Sequence, residues 1–240
     1  MLDIIKKNFW FSFFCLIVAC IFFALGTWQI KRLAWKENLI RQVEENSSLP
    51  ALELSSINAE NIPPLYGKVT GIGYFLNENE LLVLSKYRGK KLGFQLITPL
   101  RLENDTIVLV NRGWIPDSKR DKSKRPETIE NDLVFIEGLF VDTSRKAAWF
   151  LPQNKPEKNF WFWENAEQMS EFLKNEKGLG LIPLIIHKTN KSNSEFPIIM
   201  ENNTKISNDH LEYAVTWFSL VIVVLVMYVF YIRSKKKFRG

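Results

Sequence analysis

Residues 210–239, HLEYAVTWFSLVIVVLVMYVFYIRSKKKFR, decide the architecture. Tyr213 to Ile232 is a run of 20 residues without a charge. As a helix rising about 1.5 Å per residue it reaches about 30 Å, the thickness of a bilayer's hydrocarbon core. Arg233, Lys235, Lys236, Lys237 and Arg239 follow at once, whereas only Lys191 and Lys205 lie in the twenty-odd residues before Tyr213. Basic residues collect on the cytoplasmic side of a span, so the C-terminus is expected inside. A titratable imidazole, His210, then stands at the outer mouth of a membrane helix.

A second uncharged run of 20 residues, Phe9 to Trp28, lies at the other end of the chain. Ala24, Leu25 and Gly26 resemble a signal-peptide cleavage site. However, the apolar core Phe9–Leu25 is 17 residues long, beyond the 7–15 usual for a cleaved signal. A retained anchor is therefore expected. Its own flanks are ambiguous, because Lys31, Arg32, Lys36 and Arg41 outnumber Lys6 and Lys7. Two spans return the chain to its starting side, so the stronger C-terminal signal decides. The expected layout is a cytoplasmic segment 1–8, a span 9–30, an extracytoplasmic domain 31–210, a span 211–232 and a cytoplasmic tail 233–240.

The net charge of +6 has a specific location. Residues 33–210 hold 23 Lys and Arg against 24 Asp and Glu, whereas the membrane ends carry nine basic residues against Asp3 and Glu212. The basicity reports membrane topology and anionic headgroups, and gives no ground for nucleic-acid binding. The only cysteines, Cys15 and Cys20, both fall in the first span. The domain between the spans therefore has no disulfide and no thiolate metal site. With two histidines, His187 and His210, and two methionines, Met169 and Met200, it is poor in soft ligands for a copper carrier.

Between the spans, Leu33–Val43 continues as a polar helix and Leu49–Pro64 reads as a connector. Runs rich in β-branched and aromatic residues then predict strands at Tyr66–Ile72, Leu81–Tyr87, Phe94–Leu102, Thr106–Trp114 and Leu133–Val141. Turns are expected at Arg88–Lys91 and Glu103–Asp105. Asn165 is positioned to cap a helix Ala166–Leu173, which Gly178 and Gly180 end. A further strand is expected at Leu181–His187 and a polar loop at Asn190–Asn208. The class is a membrane protein: two terminal transmembrane helices flanking one β-rich α+β domain with a mainly antiparallel sheet.

His210, Tyr213, Ala214 and Trp217 fall at i, i+3, i+4 and i+7, on one helical face. Two readings fit. Tyr and Trp populate membrane interfaces, so the group forms an aromatic belt; or the imidazole ligates a haem iron between aromatic walls. On the first helix Trp28, Arg32 and Trp35 or Lys36 share a face, and Gly26 permits close helix approach. Arg32 is either a basic anchor or the partner of an acidic group such as a propionate. Arg112, ending an apolar strand, reads as a buried structural pair in preference to the alternative, a ligand-facing group, with Gly113 beside it for a bulge or close backbone approach. Trp114 is the candidate core anchor, and His187 reads as a satisfied core histidine. There is no Gly-x-Ser-x-Gly, no phosphate loop, no His-Glu-x-x-His and no Cys-x-x-Cys, so no catalytic residue is assigned.

Four patches resemble, in order, the surfeit-locus family of cytochrome c oxidase assembly factors. They are Gly26–Gln29 with Arg32 and Lys36; Val110–Pro116; Pro152–Asn159 with Trp161; and Asn208–Tyr213 with Thr216, Trp217 and Phe218. The resemblance implies a non-enzymatic, two-span inner-membrane protein that assists the building of oxidase subunit I and binds haem a. His210 takes the position of the family's proposed axial iron ligand. Trp28, Tyr213 and Trp217 would line the porphyrin, and Arg32 would meet a propionate. Subunit I, the haem a synthesis machinery and the lipid bilayer are the implied partners. The eight residues before the first span are too few for a mitochondrial transit peptide, so a bacterial member is expected. Two alternatives stay open: a protein-only chaperone for subunit I that holds no haem, and a membrane-anchored enzyme.

Overall fold

The computed structural model describes residues 9–58, 61–87, 91–141, 143, 152–191, 194–199 and 208–237. The first eight residues, most of the expected Arg88–Lys91 turn and the 200–207 part of the polar loop lie outside them. The chain divides into two compact units, residues 1–42 with 204–240, and residues 43–203.

In the first unit, helix α1 (Phe9–Ser48) and the last helix, α3 (His210–Lys237), are each long and apolar enough to cross a membrane. α1 continues to Ser48, five residues past the expected end of its polar extension. Its less exposed positions in the first unit include Ser12, Cys15, Ala19, Phe22, Gly26, Gln29 and Leu33, in steps of three and four. Those of α3 include His210, Ala214, Trp217, Val221, Val224 and Tyr228 in the same rhythm. This is the seam of two helices packed side by side. Rings mesh along it: Phe22 with Trp217 at 5.6 Å, Phe23 edge-on to Phe218 at 5.7 Å, and Phe11 against Tyr231 at 4.4 Å. A Cβ on Gly26 would stand 2.9 Å from the Phe218 ring, so the glycine does allow the backbones to close.

The described residues of the second unit hold seven strands: β1 (Leu52–Glu53), β2 (Lys68–Phe75), β3 (Leu81–Tyr87), β4 (Lys91–Leu102), β5 (Ile107–Pro116), β6 (Val134–Val141) and β7 (Ile185–Lys188). Their order is β1-β2-β6-β7-β5-β4-β3, and β2 also pairs with β4. Strands β2, β6, β7, β5 and β4 thus close a ring, a small five-stranded barrel without an open edge along that circuit. Five of the seven pairings are antiparallel; β1–β2 and β5–β7 are parallel.

Alternation along β5 sorts two apolar layers. Val108 and Val110 join Val69, Leu100, Ile136 and Ile186 in one core. Leu109, facing the other way, packs with Ile97, Ile185, Trp161, Met169 and Leu173 beneath helix α2 (Ala166–Lys177). The Asn165 side chain accepts from the Gln168 N–H at 2.8 Å, as expected of an N-cap. α2 runs to Lys177, longer than expected, and stops at Gly178, whose φ of +68° turns its N–H onto the Leu173 and Lys174 carbonyls. The strand expected at Leu181–His187 is ordered as β7 only from Ile185. Pro183 has no N–H to donate, so the ladder is interrupted before it.

Candidate functional site

Trp114 is 2% exposed and anchors a third cluster with Leu82, Phe94, Leu96, Ile115 and Phe196. Gly113, at φ +123°, lets the segment around Ile198 reach Trp114, where two backbone hydrogen bonds of 2.7 and 2.8 Å form; a Cβ there would meet the Ile198 oxygen at 2.4 Å. Arg112 is a buried structural cation. It donates to Glu130 at 2.5 Å and to the Thr128 carbonyl at 2.7 Å, and lies over the Phe75 ring at 4.3 Å. Burial pushes its pKa down from the ordinary value, against the opposing pull of Glu130. His187 is likewise held in the domain: Nε2 meets Glu164 at 2.8 Å, and the other Glu164 oxygen accepts from Asn111 at 2.7 Å.

The Pro152–Trp161 patch is a clamp. Asn154 accepts from the backbone N–H groups of Phe162 and Trp163, and donates to Gln168 at 3.0 Å. Asn159, in the left-handed region at φ +46°, donates to the Glu80 carbonyl at 2.8 Å and accepts the indole N–H of fully buried Trp161 at 3.1 Å. These bonds fix the loop and occupy the side chains of Asn154 and Asn159, which is structural work.

The helix pair holds a different arrangement. His210 Nδ1 lies 2.7 Å from Gln29 Oε1, across the seam. An amide oxygen can only accept, so with the amide oriented this way Nδ1 donates, and in the neutral ring that tautomer leaves the lone pair on Nε2. Gln29 is 9% exposed and sits on an otherwise apolar stripe. Trp217, half-buried, stacks toward Phe22 two turns farther in. A neutral imidazole, oriented through one nitrogen and offering the other, is the form in which histidine binds metals. The Trp217 and Phe22 rings, farther along the seam, give it an apolar aromatic neighbourhood.

The other expected site residues are arranged less tightly. Tyr213 and Trp28 are 56% and 55% exposed, on the outer faces of their helices. The Arg32 guanidinium lies 3.9 Å over the Trp35 ring, so it is stacked against its own helix. The structure therefore joins His210, Ala214 and Trp217 on the seam and turns Tyr213 and Trp28 outward. Gln29 was not singled out from the sequence as a site residue. Its signal was a lone amide seven residues beyond Phe22, on the stripe that the helix spacing defines.

The sequence model of the SURF1 family matches residues 16–222. The chain belongs to that family. The "SURF1-like protein" of Rickettsia bellii is 32% identical over 91% of this chain and 89% of its own length. That of Caenorhabditis elegans is 32% identical over 86% and 69%. "Surfeit locus protein 1" of Xenopus tropicalis is 28% identical over 85% and 70%. In this SURF1-family chain the four patches of the resemblance sort into two kinds. Val110–Pro116 and Pro152–Trp161 build the β domain, whereas Gly26–Gln29 and His210–Phe218 meet each other across the helix seam.

Proposed function

We propose that this SURF1-family chain is a non-enzymatic assembly factor for haem-copper cytochrome c oxidase. On this reading it holds haem a beside His210 and assists its transfer to subunit I. The observation that carries the haem reading is the His210–Gln29 bond. It orients the imidazole at a partly shielded place on the helix seam, and in the neutral tautomer it leaves Nε2 for a metal. Haem a is cargo, and the iron chemistry belongs to the oxidase that receives it. The chain's part is to hold: His210 Nε2 ligates iron, Gln29 fixes the ring, and Trp217 supplies an aromatic wall. Trp28 and Tyr213, exposed on the helix surfaces, are free to flank the porphyrin, and Arg32 swings from Trp35 to a propionate.

The basic residues after Ile232 support a bacterial inner-membrane arrangement with both ends cytoplasmic and residues 31–210 outside. A reporter active only in the periplasm, fused at Asn193, is expected to be active; activity of a cytoplasm-only reporter there would overturn this layout. Haem binding is tested by purifying the protein from cells that make haem a. The unmutated chain is expected to carry a haem a spectrum, and His210→Ala to lose or shift it at equal protein level. A normal spectrum from His210→Ala would remove His210 as the ligand.

A specific observation favours a second reading. Ile72 and Phe135, directly paired across β2 and β6, are exposed together with Tyr74 and Leu133 on the outside of the barrel. A surface of this kind suits contact with nascent subunit I, and a protein-only chaperone would need nothing else. An unmutated chain that never carries haem when haem a is being made would favour that account.

A further inference from the structure

Lys188, the last residue of β7, is 7% exposed, and its ammonium has no hydrogen bond or ion pair among the described residues. It lines a cleft of about 510 Å³ with Lys191, Glu127, Glu130 and the apolar wall Val134 and Phe135. The two carboxylates are already engaged: Glu130 by Arg112 at 2.5 Å and Glu127 by Lys119. Four cations, Arg112, Lys119, Lys188 and Lys191, therefore face two carboxylates, and the surplus positive charge belongs to the two lysines of the cleft. Its frame is rigid. The Asn190 side chain accepts from the Glu137 N–H at 3.0 Å and donates to the Phe135 carbonyl at 2.9 Å, stapling the segment after β7 to β6.

A buried ammonium whose nearest carboxylate, Glu130, is already bonded to Arg112 is expensive, and Arg112 itself adds to the cost. Burial accordingly pushes the Lys188 pKa below 10.5, with Glu130 opposing and Arg112 assisting. The strand places the lysine there by register: Lys188 pairs with Gly138, which has no side chain to share the space. We infer that this cleft is a binding site for a phosphate-type oxyanion, with Lys188 as the buried ligand and Lys191 as its partner at the rim. A phosphate oxygen supplies the acceptor that the ammonium lacks, and lysine suits it as a compact point charge. The same chemistry has two sources, a free phosphate or the phosphate of an anionic lipid headgroup, whose apolar part Phe135 and Val134 would meet.

The test uses the full chain in phosphatidylcholine nanodiscs, with inorganic phosphate titrated against chloride at constant ionic strength. Phosphate is expected to raise the unfolding temperature of the domain saturably, as mass action requires of a ligand that binds the folded state. Lys188→Met should abolish the rise, and Lys191→Glu should shift the titration to higher phosphate. Nanodiscs containing phosphatidylglycerol, without added phosphate, separate the sources: a Lys188-dependent rise there identifies a lipid headgroup, and a rise only on adding phosphate identifies the free ion. The inference fails if neither phosphate nor phosphatidylglycerol stabilises the unmutated chain, or if the rise survives in Lys188→Met. Should Lys188→Met not fold, an undiminished response in Lys191→Glu overturns it equally.

Discussion

Replacing Gln29 by Leu separates holding the helices together from orienting a ligand. Leucine keeps most of the volume on the α1 seam and removes the acceptor of the 2.7 Å bond to His210. Interhelical hydrogen bonds inside membranes contribute about 0.6 kcal/mol on average and at most about 1.7 kcal/mol, so helix pairing should weaken only slightly. Removing the partner that orients a metal-bound histidine typically costs about 10–100-fold in metal affinity, or about 1.4–2.7 kcal/mol. Haem a titrated into the protein in nanodiscs, followed by absorbance, should therefore show affinity falling by at least about tenfold. Thermal unfolding of the same samples should change little. Nitrogen NMR of labelled histidine gives a reading that needs no haem: His210 should carry its proton on Nδ1 in the unmutated protein and lose that preference in Gln29→Leu. Unchanged haem affinity, or a proton found on Nε2 in the unmutated chain, would refute the orienting role.

Trp114→Ala should destabilise the chain by about 3–5 kcal/mol, because the ring is 2% exposed inside its cluster; chemical denaturation followed by tryptophan fluorescence measures this. An unchanged midpoint would contradict its burial. Lys188→Met should be more stable than the unmutated chain near neutral pH. The folded Lys188 has its pKa depressed below 10.5, so its charged form penalises the fold at pH below the depressed value, and the penalty fades as pH rises toward 10.5. The gap between the two melting temperatures should close over that alkaline window, with Glu130 and Arg112 as the facing charges and Lys191 and Glu127 lining the same cleft. A gap that stays constant with pH would assign the effect to packing.

Local signals were legible in the sequence, and long-range ones were not. Leu81–Tyr87 has the bounds expected of it, because a short apolar run between polar turns marks it locally. Asn165 and Gly178 punctuate α2 through side-chain and backbone chemistry within a few residues. Gly26 and Gly113 are tight for the reasons their neighbours suggested. Closure of the barrel was invisible, since the β2–β4 and parallel β5–β7 pairings join distant segments that leave no periodicity in the chain. Lys188 lay one residue past the strand expected at Leu181–His187 and drew no reading of its own; its pairing with Gly138 extends β7 over it and buries it. For the helix pair, sequence periodicity identified the face bearing His210 but not which residue of the other helix meets it. It also counted Tyr213 with that face, whereas the narrow seam of two packed helices turns Tyr213 out.

A second polar contact joins the same two helices: the Tyr228 hydroxyl donates to Ser12 Oγ at 2.9 Å. Along α1, Ser12 and Gln29 stand roughly 25 Å apart at about 1.5 Å per residue. Such a pair works as two pins through one hinge plate. Rings and small residues tolerate sliding, since one apolar step along the stripe resembles the next. A slip of α3 by one heptad would set His210 against Phe22 or Lys36 and Tyr228 against Ala19, or carry it off the described end of α1, so both polar partners would be lost together. The level of the imidazole along the helix pair is therefore fixed at two points rather than one.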